Sequence, residues 1–241
     1  MNTVSLFKIK EIKQKMISIY QPAEDSYLLS ETLKKEIPKI LKKNPNLNLL
    51  EIGSGSGILL QTAFNIGVKK ENIFGTDINE NAVKCCKDKG FNCIKSDLFK
   101  NFRFCPHQTN ITKNLMRLRD YQINQNERES ARQISEPLGE RIAVFPSKFD
   151  IIIFNPPYLP LDEKEPEDSQ IAMTGGKKGN EVMLKFLKQA KKYLNKNGKI
   201  FLITSSLSKE VNFEKLGYKS KVINSKKLFF EELVVRGLVV N

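Results

Sequence analysis

The sequence predicts an α/β fold: a doubly wound, seven-stranded, mostly parallel sheet with a C-terminal antiparallel hairpin. Three observations predict it. Short β-branched runs alternate with helical segments over most of the chain, the pattern of βαβ units. A glycine cluster, Gly53-Ser54-Gly55-Ser56-Gly57, lies between the first such run and a helix, where the backbone must turn sharply. The stretch Phe149-Asp150-Ile151-Ile152-Ile153-Phe154 reads as a buried strand, and Asn155-Pro156-Pro157-Tyr158 stops it at once, because proline cannot donate to a sheet ladder.

Taken in order, residues 1–19 form a basic segment that reads as a strand or a helix. Glu24 to Lys43 is helical: Leu28, Leu29, Leu33, Ile37, Ile40 and Leu41 recur at three- and four-residue spacing, with Pro22 and Asp25 at the start and Pro45 as the stop. Leu47–Ile52 is a first strand, Gly57–Asn65 a helix, Asn72–Asp77 a second strand, Glu80–Lys89 a helix and Phe91–Lys95 a third strand. The pattern then breaks. Residues 101–147 are polar and carry six of the seven arginines but only one lysine, Lys113, in a chain that elsewhere uses lysine almost exclusively. So long a connection without elements of its own is unusual inside a compact domain. It reads as an inserted, mobile segment within a single domain spanning 1–241. The alternation resumes with the strand 149–154 and a loop over 159–178 bearing an acidic run. A helix over Gly179–Leu194 is closed by Asn197-Gly198, and Lys199–Ser205 is a fifth strand. A short helix over 207–216 ends at Gly217. Strands at Lys219–Ile223 and Leu228–Val235 are then joined by an Asn-Ser-Lys turn.

Composition bounds the function. A chain of 241 residues, 40% hydrophobic, buries a full core. No apolar run reaches the ~20 residues of a membrane span, and the lysine-studded N-terminus lacks the apolar block of a signal peptide. The cytoplasm is the expected compartment. The four cysteines and the single His107 form neither a Cys-x-x-Cys pair nor a ligand set, so no metal site is expected. The net charge of +13 suits polyanionic partners such as RNA or ribosome-bound factors. The lysines are scattered, however, and fit an ordinary solvated surface equally well.

The chemistry-bearing residues fall at strand ends. Glu51 precedes Gly53, Gly55 and Gly57. Its charge opposes a pyrophosphate but favours a cation, such as an amino group or a sulfonium. The glycines alone fit either a ligand loop or a tight strand–helix turn. Asp77 ends the second strand, about twenty residues beyond the glycine loop, where such folds bind ribose hydroxyls. A helix cap is the competing role, with Asn79 an equal candidate for it. Asp97, with Leu98, follows the third strand. Its carboxylate or adjacent backbone suits an adenine amino group, with Leu98 packing on the ring, although a plain turn aspartate is the commoner case. Asn155 follows the fourth strand. It holds an amide on a stiffened backbone beside an aromatic ring, an arrangement suited to fixing a flat, weakly nucleophilic nitrogen. In open α/β sheets ligands bind along this edge, where strand order reverses, so all four features converge on one crevice.

This set resembles the class I S-adenosylmethionine-dependent methyltransferases, Rossmann-like enzymes. The Asn-Pro-Pro-Tyr box narrows the resemblance to those that modify planar nitrogens. The opening Tyr20-Gln21-Pro22-Ala23-Glu24-Asp25-Ser26-Tyr27-Leu28-Leu29 is similar to that of the HemK-related release-factor glutamine methyltransferases, in their eukaryotic and archaeal branch. So are Gly175-Gly176-Lys177-Lys178-Gly179-Asn180-Glu181 and the tail Leu228-Phe229-Phe230-Glu231-Glu232-Leu233. The resemblance covers about 18–100 and 148–238, and departs from the family at 101–147. It implies S-adenosyl-L-methionine as cofactor, held by Ser26, Glu51, Gly53, Gly55, Asp77, Asp97, Leu98 and Asn155. It implies a glutamine amide of a translation release factor as substrate, bound by Asn155, Pro156, Pro157 and Tyr158. The Asn155 oxygen and the Pro156 carbonyl accept the amide's two N–H bonds, and Tyr158 stacks on its plane. Such positioning can lower a barrier by about 7–11 kcal/mol. A small zinc-binding activator subunit at the third-strand edge is the implied partner, and the 101–147 insertion, leaving from that edge, is expected to shield it or hinder the partner. Methylation of an adenine or guanine amino group in nucleic acid is the alternative. It is less favoured because no separate DNA-reading domain is visible and a duplex base would need flipping.

Overall fold

The structure is a computed structural model in which residues 19–102, 145–161 and 173–241 are described. The basic N-terminus up to residue 18, nearly all of the segment 101–147 expected to be an insertion, and the acidic run at 162–168 lie outside the described residues. The elements are α1 (Glu24–Leu41), β1 (Leu49–Ile52), α2 (Ile58–Ile66), β2 (Ile73–Asp77), α3 (Glu80–Asp88), β3 (Asn92–Lys95), β4 (Phe149–Phe154), α4 (Glu181–Ala190), β5 (Leu194–Ser205), β6 (Tyr218–Lys227) and β7 (Glu232–Val240).

The seven strands form one sheet in the order β3-β2-β1-β4-β5-β7-β6. The first five strands pair in parallel, and β7 runs antiparallel to both β5 and β6. Both faces are covered, as a parallel sheet requires. Alternate residues of β4 show how. Ile151 and Ile153 join one core cluster with Leu29, Leu33 and Ile37 of α1, Leu60 and Ala63 of α2, and Phe201 and Ile203 of β5. On the other face the Phe154 ring lies 4.6 Å from Phe186 of α4. A fully buried leucine such as Leu29 contributes about 1.5–3 kcal/mol. Asn48 and Asp150 lock the β1–β4 register: the Asn48 N–H donates to Asp150 Oδ2 at 2.8 Å, and the Asp150 N–H donates to the Asn48 carbonyl at 2.9 Å.

Three expectations are corrected. Residues 207–216 form turns rather than a helix. Tertiary bonds claim this backbone: the Lys209 N–H donates to the Lys178 carbonyl at 2.9 Å and the Lys209 carbonyl accepts from Asn180 Nδ2 at 2.9 Å. Buried Val211 and Phe213 alternate with exposed neighbours, the period of extended chain. The helix expected to reach Leu194 gives way to a 3-10 turn at Lys191–Tyr193, and β5 already begins at Leu194. The β4–β5 register shifts between the Phe149↔Leu194 and Ile151↔Lys199 pairs, so the Asn197-Gly198 signal marks an irregularity in a strand. The Asn224-Ser225-Lys226 turn is also absent. A bulge between Val222 and Asn224 carries β6 through these residues, and the hairpin turns at 228–231 instead, where the Leu228 N–H donates to the Glu231 carbonyl at 2.8 Å.

Candidate active site

The carboxyl ends of β1, β2 and β4 open on a cavity of about 280 Å³. It lies where the chain, having laid β2 and β3 on one side of β1, returns to lay β4 on the other. Glu51, Gly53, Gly55 and Asp77 line it, as do Asp97, Leu98 and Ser26. Asn155, Pro156, Pro157 and Tyr158 also line it, so the residues assigned above to cofactor and substrate border this one space, whereas Gly57 does not.

The glycine loop is held by β2. Its φ angles at Gly53 and Gly55 are +68° and +48°, which L side chains rarely adopt. The Ser54 N–H donates to the Thr76 carbonyl at 2.9 Å, and the Gly55 N–H to Asp77 Oδ2 at 2.8 Å. Asp77 Oδ1 accepts from the Asn79 N–H at 2.8 Å. Burial raises the Asp77 pKa, and the backbone donors at Asn79, Gly55 and Ile78 offset part of that shift. Asp77 thus shapes the loop as well as facing the cavity. The helix cap is Asn79, whose side chain accepts the Asn81 N–H at 2.9 Å. Glu51 is fully buried, and its Oε2 has no hydrogen-bond partner among the described residues. Burial, reinforced by Cys86 and by the charge on Asp77, pushes its pKa well up. A buried carboxylate oxygen without a donor costs free energy until a ligand supplies one.

Asp97 departs from expectation. Its carboxylate is taken by Lys100 at 2.6 Å and Lys185 at 2.9 Å. Hydrogen bonds from these two lysines hold its pKa below the usual carboxylate range. The other group named for this position is the neighbouring backbone. That backbone is unusual: Leu98 has φ +53°, the one non-glycine residue with positive φ among the described residues. Such a conformation costs on the order of 1–3 kcal/mol and persists where surroundings enforce it. The next residue, buried Phe99, stacks on Tyr193 at a centroid distance of 4.3 Å and fixes the turn.

On the acceptor side, Asn155 Oδ1 is buried and has no partner among the described residues. The backbone that carries it is clamped. The Leu159 N–H donates to the Met173 carbonyl at 3.0 Å, the Gly175 N–H to the Leu159 carbonyl at 2.9 Å, and the Leu161 N–H to the Gly176 carbonyl at 3.0 Å. A Cβ on Gly175 would lie 2.6 Å from the Pro157 carbonyl oxygen, and one on Gly179 would strike the Tyr158 carbonyl. The Gly175–Gly179 motif is therefore a cradle for the Asn-Pro-Pro-Tyr backbone.

Sequence reasoning missed a third group. Asp25, only 4% exposed, accepts from the Tyr20 hydroxyl at 3.0 Å and the Tyr158 hydroxyl at 3.4 Å through Oδ2. Its Oδ1 accepts from the Ser26 N–H at 2.5 Å and the Ser26 hydroxyl at 3.2 Å. Burial, with the charges of Asp25 and Glu231, keeps both tyrosines protonated far above neutral pH. Asp25 and Tyr20 stand in the same opening motif as Ser26; only their link to Tyr158, 133 residues away, is invisible in sequence.

Residues 71–229 match the family described as Eco57I restriction-modification methylase. A protein of Methanocaldococcus jannaschii named among the N5-glutamine methyltransferases is 32% identical over 95% of this chain and 96% of its own. The chain belongs to the protein N5-glutamine methyltransferases. It is an S-adenosylmethionine-dependent enzyme that methylates a protein glutamine. This methyltransferase is also similar to the eRF1 methyltransferase catalytic subunit mtq2 of Schizosaccharomyces pombe, at 27% identity over 85% of this chain and 78% of that one. Its fold matches the E. cuniculi Mtq2 structure, solved as an Mtq2–Trm112 complex, with a TM-score of 0.53 at 19% identity, covering 94% of this chain and 100% of the other.

Proposed function

We propose that this methyltransferase modifies the side-chain amide nitrogen of a glutamine in a class-1 peptide chain release factor, in the cytoplasm. The observation that carries the reading is the buried, unpartnered Asn155 Oδ1 at the end of β4. It is an acceptor waiting for an N–H, on a backbone that cannot move away from it. Support for the substrate comes from the relatives, one of which is named for eRF1.

The donor side fits S-adenosyl-L-methionine. Glu51 has a free acceptor for an ammonium or hydroxyl, Gly53 and Gly55 carry no side chains to block approach, and Asp77 borders the same cavity. Ser26, Leu98 and the backbone at Asp97 complete the set. When bound, the sulfonium supplies an electrophilic methyl group. The chain's own residues orient the nucleophile. The Asn155 oxygen and the Pro156 carbonyl accept the two amide N–H bonds, which directs the nitrogen's face toward the donor and stabilises positive charge as it develops. Tyr158 flanks the amide, its hydroxyl tethered to Asp25. No general base is required before transfer, because the proton leaves the nitrogen afterwards.

A small zinc-binding activator subunit is proposed to cover β3, which among the described residues pairs with β2 alone and so presents a bare edge. A second reading, methylation of an adenine or guanine amino group, draws on the Eco57I family match and the net charge of +13. One experiment separates them: radiolabelled methyl transfer to release factor, to its Gln→Ala variant and to RNA. Label on intact release factor alone is expected. Label on the variant, or only on RNA, overturns the glutamine reading.

A further inference from the structure

The turn joining β6 to β7 lies on the same sheet edge as the cavity. Ser205, which ends β5, pairs with Leu233 at the start of β7, and Lys227, the last residue of β6, pairs with Glu232. At this tip Phe229 is 91% exposed and Phe230 84% exposed. Their rings meet edge to face at 4.7 Å. Together they present on the order of 300 Å² of aromatic surface to solvent, which a chain hides unless it has a use for it.

The tip is anchored. Leu228 packs on the core cluster. Glu231 accepts the Ser205 hydroxyl at 2.6 Å, the Glu232 N–H donates to Ser206 Oγ at 2.9 Å, and Lys226 is paired with Glu24 of α1. Glu24, which Lys226 meets, directly precedes Asp25, whose carboxylate accepts the Tyr158 hydroxyl, which places the turn near the acceptor side of the cavity.

We propose that Phe229 and Phe230 form a docking platform for the protein substrate, gripping apolar residues next to the glutamine that enters the cavity. This rests on the glutamine reading above. A polypeptide is favoured over RNA because Glu231 and Glu232 follow the rings directly and Lys226 is already paired, which leaves Lys227 as a single cation against two carboxylates. Exposed rings can stack bases, but a phosphate backbone needs free cations beside them. The activator's proposed edge, β3, is at the opposite end of the sheet from β6, so that subunit does not explain the rings.

The test is steady-state methylation of full-length release factor by the wild-type enzyme and by the F229S/F230S double variant. The expected result is a KM for release factor raised at least about tenfold, with kcat and the Kd for S-adenosylmethionine unchanged. The F229L/F230L variant, which keeps apolar area, should retain most of the wild-type KM. Because the rings are exposed, their removal leaves folding intact, which a thermal melt checks. Methylation of release factor with an unchanged KM in F229S/F230S overturns the docking role alone. A dimer that the double variant converts to monomer at unchanged KM overturns it too, and assigns the rings to self-association. Wild-type transfer to RNA and not to protein overturns both this inference and the glutamine reading.

Discussion

The Tyr158 hydroxyl and the Asp25 carboxylate, 133 residues apart in sequence, meet at 3.4 Å. The contact ties the acceptor loop to the first turn of α1, and Tyr20 reaches the same oxygen at 3.0 Å. Of the two tyrosine contacts, that of Tyr158 is the longer and weaker. Tyr158→Phe should therefore lower kcat less than about tenfold. Asp25→Asn should cost more, because an amide cannot accept on both atoms and leaves a buried donor misplaced, worth about 1–3 kcal/mol. Comparing kcat and Tm of the two variants checks the order.

Asn155→Ala removes the acceptor that orients the amide. A loss of 10²–10³-fold or more in kcat is expected, by analogy with the loss of a transition-state hydrogen-bonding group. Binding of S-adenosylmethionine, measured by calorimetry, should survive. A variant that still turns over near the wild-type rate would remove Asn155 from the role assigned to it.

Glu51 has a folded-state pKa above its usual value of 4.5. The folded state therefore holds this proton more tightly than the unfolded state. The group's favourable contribution is complete below the unfolded pKa and is lost as pH rises through the folded pKa. Without cofactor, Glu51→Gln should thus be more stable than wild type at neutral pH, and the gap in Tm should close on acidification. The same variant should bind the cofactor more weakly, since it lacks the anionic acceptor. Melting curves across pH, with and without cofactor, test both signs.

Gly175→Ala would drive a methyl group against the Pro157 carbonyl and the Gly179 backbone. Overpacking of this kind costs about 1–3 kcal/mol. The displaced loop carries Asn155, so activity should fall further than stability. A kcat loss larger than the Tm shift explains would mark Gly175 as a positioning residue.

Much of this was legible in the sequence, for identifiable reasons. The strand β4 was read to its residue limits because a continuous apolar run ended in two prolines. The cavity-lining residues followed from it, since strand ends in this topology share one edge. What escaped was set by distant contacts. The two lysines on Asp97 come from its own turn and from α4, 88 residues away. The left-handed backbone of Leu98 has no signature in an ordinary leucine. The β6–β7 turn was misplaced because Asn224-Ser225 carries turn chemistry, whereas the true turn is built of Leu228, Phe229, Phe230 and Glu231, held by packing and by the Ser205 and Ser206 bonds.

The reversal of strand order between β1 and β4 divides the labour along the chain. Everything proposed to grasp the methyl donor, apart from Asn155, lies before residue 102, and everything proposed to grasp the glutamine lies after residue 148. The two pieces are stitched by the β1–β4 ladder and the reciprocal Asn48–Asp150 bonds. The cavity is thus closed by strand pairing between residues 102 positions apart in the chain, and neither half is a complete site until β4 has found β1.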